Sequence, residues 1–253
     1  MTGIHYRVRG SGPVLLLLAG GDGDADAYGP LGDDLAADFT VVTHDRRGQA
    51  RTVLPPAGSL ADHADDAAAV LATVADGPAA VFGSSIGAAI ALELSIRHPG
   101  SVSRVVAHEP PISALLPDAE GMALFAAQKR LEDAYAEAGV AAAMVAFAQL
   151  IAVNPADREP EVEIGRPDFE RPNLEVFLRY DAPAVRKYRP EVSALRAELV
   201  VPAVGRSTDG PPAECAHALG ALLGVPVAVF PGGHTAPTLR PRGVAEALRA
   251  ALA

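Results

Sequence analysis

Short apolar runs, each too brief for a helix, recur at residues 14–18, 40–43, 79–82, 102–107, 199–204 and 226–230. They are rich in valine and leucine and apolar at successive positions, which suits strands covered on both faces. Between them, residues 60–74, 86–97, 212–223 and 241–252 have helical composition. This alternation implies an α/β fold, a three-layer α/β/α sandwich around a mostly parallel sheet. Residues 4–8 alternate polar and apolar and fit an edge strand. His98-Pro99-Gly100 reads as a helix stop, since proline cannot continue the hydrogen-bond ladder and glycine accepts a left-handed turn.

One stretch breaks the rhythm. Residues 112–196 contain no convincing strand but at least three helical segments, in one of which Val140, Met144, Phe147 and Ile151 share a face. Pro155, Pro160, Pro167 and Pro172 punctuate its middle. The expectation is a core of residues 1–111 and 197–253 with a helical cap, or lid, of residues 112–196 inserted in it. A chain of 253 residues suffices for one such core and is short for two independent domains.

A formal charge of −10 argues against nucleic acid or an anionic membrane as partner, because both select for basic patches. The apolar run from Val14 to Ala19 is far too short to span a bilayer, and no basic, apolar leader precedes it. Cys215, the single cysteine, cannot form an internal disulfide and reads as structural. Together these lead to an expectation of a cytoplasmic protein. Arginine far outnumbers lysine (only Lys129 and Lys187) and alanine is abundant, a bias that points to a GC-rich bacterial genome.

After the run at 79–82 comes Gly83-Ser84-Ser85-Ile86-Gly87, then an apolar helix. A strand that turns directly into a helix strains its apex residue and crowds the positions two away, which then require glycine. Ser85 is the apex, flanked at that distance by Gly83 and Gly87. Its side chain should stand above the sheet at a helix N-terminus, as a nucleophile would. Attack on a carbonyl also needs donors for the developing oxyanion. The N–H of Ile86 is one candidate. Gly21, in the loop Ala19-Gly20-Gly21-Asp22-Gly23-Asp24 after residues 14–18, is the other. Asp22, Asp24 and Asp26 lack the spaced glutamate of a calcium loop, so no metal is expected.

Of seven histidines, His234 stands out as the base, in the flexible Pro231-Gly232-Gly233-His234 loop after residues 226–230. His108 ends another strand at the same edge of the sheet and is expected to line the pocket.

With these residues in place, the chain resembles the α/β-hydrolase family, in particular its small capped bacterial serine hydrolases. The match runs through the Gly-rich loop, Asp45-Arg46-Arg47-Gly48, the Ser85 turn, His108-Glu109-Pro110-Pro111 and Pro231-Gly232-Gly233-His234. The order Ser, acid, His is the family's. Two features depart from its pattern. The oxyanion loop has Ala19-Gly20 where the family often has His-Gly. The usual acid loop reads Gly205-Arg206-Ser207-Thr208-Asp209, one residue longer than Gly-x-x-Asp. Two carboxylates therefore compete as triad acid: Asp209 on that loop, and Glu109 at the preceding strand end, where haloalkane dehalogenases with a glutamate acid place theirs. Glu109 is preferred, since Pro110 and Pro111 would stiffen the backbone behind it. Asp45 is implied to brace a turn.

The resemblance implies hydrolysis of a small hydrophobic ester, lactone or thioester through an acyl-enzyme, with no cofactor. Met122, Phe125, Met144, Phe147 and Phe177 are candidates for an apolar substrate pocket. A cyclase, a carbon–carbon bond hydrolase, a cofactor-free peroxidase-like enzyme and a non-catalytic ligand receptor remain as alternatives on the same fold. The partner expected is a small-molecule substrate; a homodimer stays open.

Overall fold

A computed structural model describes residues 3–166 and 168–253; Pro167, one of the punctuating prolines, lies outside them. Seven strands form one sheet in the order β1-β3-β2-β4-β5-β6-β7. They are β1 (Tyr6–Arg9), β2 (Val14–Leu18), β3 (Thr40–His44), β4 (Ala79–Ser84), β5 (Val102–His108), β6 (Val200–Gly205) and β7 (Ala228–Phe230). Only β1 runs antiparallel, against β3; every other neighbouring pair is parallel. The last strand is shorter than its apolar run, because Pro226 has no N–H for the ladder and pairing begins at Ala228.

Helices cover both faces. On one, α2 (Leu60–Val74) and α3 (Ile86–Arg97) bury Leu60, Leu71, Ile90 and Leu94 against Leu16, Val81 and Val105. On the other, α1 (Gly29–Leu35) and the last helix (Pro241–Leu252) bury Leu31, Leu35, Val244 and Leu248 against Leu15, Leu17, Phe82 and Val106. Successive residues of β2 thus face opposite helical layers, which explains why the run Leu15-Leu16-Leu17-Leu18 is apolar throughout. Helix α3 ends at Arg97, just before the His98-Pro99 stop.

Winding direction reverses in the middle of the sheet. The chain passes from β2 outward to β3, then crosses back over β2 to β4. At such a switch point the loops leaving the carboxyl ends of the two strands diverge and open a crevice. Here those loops carry Gly20, Gly21 and Ser85.

Among the described residues, none between β5 and β6 forms a strand. Helix α4 (Asp118–Leu150) bends sharply at Gly139, whose φ of 77° leaves the helical region. It is followed by α5 (Pro172–Val176), a π-helical turn at Phe177–Asp181, and α6 (Ala182–Lys187). Leu131 and Ala143, from the two arms of α4, pack with Phe177 and Leu178 in a small core of their own. No helix among the described residues is long and apolar enough to cross a membrane.

Candidate active site

The apex of the β4–α3 turn is Ser85, at φ 56° and ψ −124°. No side chain fits at the flanking glycines. A Cβ on Gly83 would lie inside contact distance of the Gly87 carbonyl, and one on Gly87 would collide with the Leu18 carbonyl. The turn is braced from beneath, since the Ser85 N–H donates to the His108 carbonyl at 2.9 Å. Among the described residues, neither the Ile86 N–H nor the Gly21 N–H donates to a protein acceptor. Gly20 lies beside Ser85: a Cβ there would sit 3.1 Å from that of the serine. The Tyr28 hydroxyl, which sequence reasoning missed, accepts the Gly20 N–H at 3.2 Å.

Glu109 follows β5 at φ 50° and is fully buried. Its Oε1 accepts the Gly205 N–H at 2.7 Å, and its Oε2 accepts from His234 Nδ1 at 2.6 Å. Burial pushes the carboxyl up, but the His234 hydrogen bond and the neighbouring His108 and His234 outweigh it and bring the pKa to about 2. An ionised carboxylate can only accept, so the proton between them resides on Nδ1. Nε2 of His234 is then the acceptor, and it has no hydrogen-bond partner among the described residues.

The competing carboxylate is elsewhere. Asp209 is exposed, and among the described residues its carboxylate takes part in no hydrogen bond. The Gly205-Arg206-Ser207-Thr208 turn, closed by Thr208 N–H to Gly205 O at 3.0 Å, spends the extra residue and leaves Asp209 in solvent.

Two adjoining cavities meet at Ser85. One is almost wholly apolar, lined by Ile86, Leu124, Leu131, Phe147, Phe177 and Val185 together with Gln128. The other is more polar and is walled by Gly20, Gly21, Arg171, His234, Thr235 and Thr238. Phe147 and Phe177 both line the apolar cavity beside Ser85. Met122 and Phe125 do not: both border a separate outer depression beside Arg189, and Met122 is 68% exposed. Helical periodicity is the reason. Leu124, Gln128 and Leu131 share the inner face of α4 at i, i+4 and i+7, so 122 and 125 point away. That spacing was legible in the sequence. Met144, one turn back from Phe147 toward the bend, is half-buried and lines neither cavity.

His108 also misses the pocket. It ends β5 in register with Ser84, and its buried ring packs beside the stacked pair Phe82 and Phe230. Its Nδ1 is 3.0 Å from Ser84 Oγ, and its Nε2 is 3.7 Å from Glu109 Oε1. Burial lowers its pKa from the usual 6.5 to about 4, with Glu109 opposing the shift. The sign of the consequence follows from linkage. Between those values the unfolded chain binds a proton that the folded chain refuses, so stability falls as pH drops from 6.5 toward 4. For His108→Asn the loss of unfolding free energy between pH 7 and pH 4 should shrink by on the order of 3 kcal/mol. Urea unfolding at the two pH values checks this, and an unchanged difference would contradict it.

Comparisons agree with the geometry. The family described as alpha/beta hydrolase fold matches residues 13–234. YraK of Bacillus subtilis (strain 168), a hydrolase that is itself uncharacterized, is 34% identical over 97% of this chain and 90% of its own length. Among solved structures, a putative alpha/beta hydrolase from Nostoc sp PCC 7120 superposes with a TM-score of 0.74 at 20% identity, covering 98% of this chain and 94% of that one. A thermophilic esterase from Thermogutta terrifontis does so with a TM-score of 0.71 at 19% identity, over 98% and 92%. The reversal of the sheet at β2 and β4, the strained serine between two obligatory glycines and this match along most of the chain lead to one conclusion: the chain is an enzyme of the α/β-hydrolase family, a hydrolase.

Proposed function

We propose that the protein is a serine hydrolase acting on a small ester-like substrate through an acyl-enzyme, with Ser85 as nucleophile, His234 as base and Glu109 as the acid behind it. The observation that carries this reading is the 2.6 Å bond from His234 Nδ1 to buried Glu109, which turns the free Nε2 into an acceptor on the cavity wall it shares with Ser85. In that state His234 takes the serine proton as Oγ attacks the carbonyl, and the Gly21 and Ile86 N–H groups hold the oxyanion. Water then releases the acid. The mechanism calls for no metal or organic cofactor.

On this reading the two cavities divide the substrate between them. In the first step the imidazolium returns its proton to the leaving atom, so the leaving group must lie on the side of His234. His234 lines only the more polar cavity, which therefore receives the alcohol or thiol. The acyl chain fills the apolar one, under a cap formed by residues 112–196. A short apolar acid esterified to a polar alcohol is the substrate class that fits. The reading places the enzyme in the cytoplasm, where the buried thiol of Cys215 stays unpaired.

Acid-quenched mixtures of the enzyme with 4-nitrophenyl butyrate test it. One butyryl group is expected on the peptide that carries Ser85. An acyl group on another residue, or no adduct and no release of nitrophenol, would overturn the reading.

A further inference from the structure

A buried ionic cluster ties the helical segment to the oxyanion loop, and the machinery above does not use it. Asp181 closes the π-helical turn between α5 and α6 and is fully buried. Its Oδ2 accepts from Arg46 Nε at 3.2 Å, from Arg46 Nη2 at 3.1 Å and from Gln49 Nε2 at 2.9 Å, while Oδ1 is 3.1 Å from His63 Nε2. Burial raises the carboxyl pKa, but Arg46 and His63 outweigh it and lower it, so the carboxylate is held ionised. The π turn bears on this placement. Its extra residue hands the pocket-facing stripe from Phe177 to Ala182 and Val185, while Asp181 faces Arg46.

Arg46, 3% exposed, uses its remaining donors on the loop after β2. Nη1 donates to the Ala19 carbonyl at 2.9 Å, and Nη2 to the Gly21 carbonyl. These two contacts hold the peptide planes on either side of the Gly20–Gly21 bond. That bond is itself held by Gly23 N–H to Gly20 O at 2.9 Å. In a trans peptide the N–H points opposite to the C=O, so pinning the three carbonyls aims the Gly21 N–H. Glycine at 20 and 21 would otherwise leave those planes free to rotate. A second tie reinforces the first: Asn173 of α5 donates to the Asp22 carbonyl at 3.3 Å and accepts the Ala50 N–H at 2.9 Å.

We propose that Asp181 and Arg46 are positioning residues for catalysis: Asp181 orients the Arg46 fork, which aims the Gly21 N–H at the oxyanion and makes the oxyanion site depend on a seated cap. This rests on the serine-hydrolase reading. Removing a whole oxyanion donor costs ~10²–10³-fold in rate, and misaiming one should cost ~10–100-fold.

The test is phosphonylation of Ser85 by an alkyl fluorophosphonate, followed by intact mass spectrometry. Oγ attacks phosphorus, the P–O bond forms as P–F breaks, fluoride leaves, and the serine proton passes to His234. The phosphoryl oxygen occupies the oxyanion site in the transition state. Arg46→Lys keeps the charge but loses the fork, and Asp181→Asn removes the carboxylate that orients it. Because a broken buried ion pair can unfold a protein, the double variant Arg46→Met with Asp181→Leu removes both charges together. Each variant that retains a cooperative melt should show the maximal labelling rate reduced ~10–100-fold with the concentration at half-maximal rate within ~3-fold of wild type. Rates within twofold of wild type, or a loss that falls equally on apparent affinity, would overturn the proposal while leaving the nucleophile intact. Labelling of Ser85→Ala at the wild-type rate, or none of the wild type, would instead overturn the serine reading and this inference with it.

Discussion

Ser85→Ala is expected to lower kcat for a short chromogenic ester by at least ~10⁴-fold while leaving the fold in place. The large loss follows from the chemistry. Without Oγ no acyl-enzyme forms, and only binding and the oxyanion donors remain to assist direct attack by water. The small structural cost follows from the turn. The strain at φ 56° is set by the backbone between Gly83 and Gly87 and is the same for alanine as for serine. Among the described residues the hydroxyl makes no hydrogen bond whose loss would be felt. Stability should therefore change by less than ~1 kcal/mol. Steady-state kinetics beside a thermal melt reads both outcomes, and equal rates for the two proteins would sink the serine mechanism.

Glu109→Gln should follow closely, with kcat reduced ~10³–10⁴-fold, whereas Asp209→Asn should stay within about twofold of wild type. The amide can keep its oxygen on the Gly205 N–H, which Glu109 Oε1 accepts at 2.7 Å. Its NH₂ then faces His234 Nδ1, donates to it and forces the ring proton onto Nε2. The imidazole is held in place but presents a donor where it must accept. The charge that would stabilise the imidazolium is lost as well. Asp209 stands in solvent and its carboxylate makes no hydrogen bond among the described residues, so its neutralisation has no bonded route to the ring. The reverse ranking, measured on the same ester, would overturn the assignment of the acid.

Which features could be read from the chain alone depended on how local their causes are. The strand runs were legible because burial on both faces shows in every successive residue, as in Leu15-Leu16-Leu17-Leu18. The stop at His98-Pro99 and the turn at Ser85 were legible because proline and glycine carry their constraint in their own covalent structure. Sequence reasoning misplaced His108, Met122, Phe125 and Met144. It treated a strand end and an apolar helix as pocket-lining without asking which face each side chain takes. The Asp181–Arg46 tie joins residues 135 apart, and neither stands in a pattern that announces the other.

The same division runs through the candidate triad. Near-neighbour sterics decided that residues 83–87 make a strained turn with serine at its apex, since a Cβ at 83 collides with the Gly87 backbone; the collision of one at 87 with the Leu18 carbonyl belongs to the tertiary structure. For the acid, the chain alone offered only the stiffening by Pro110 and Pro111 as a reason to prefer Glu109 to Asp209. Both follow strands that end at the same edge of the sheet. Tertiary structure separates the two. The Gly205–Thr208 turn carries Asp209 outward to water, while Glu109, bent back at φ 50° and held by the Gly205 N–H, is buried against the imidazole it can serve.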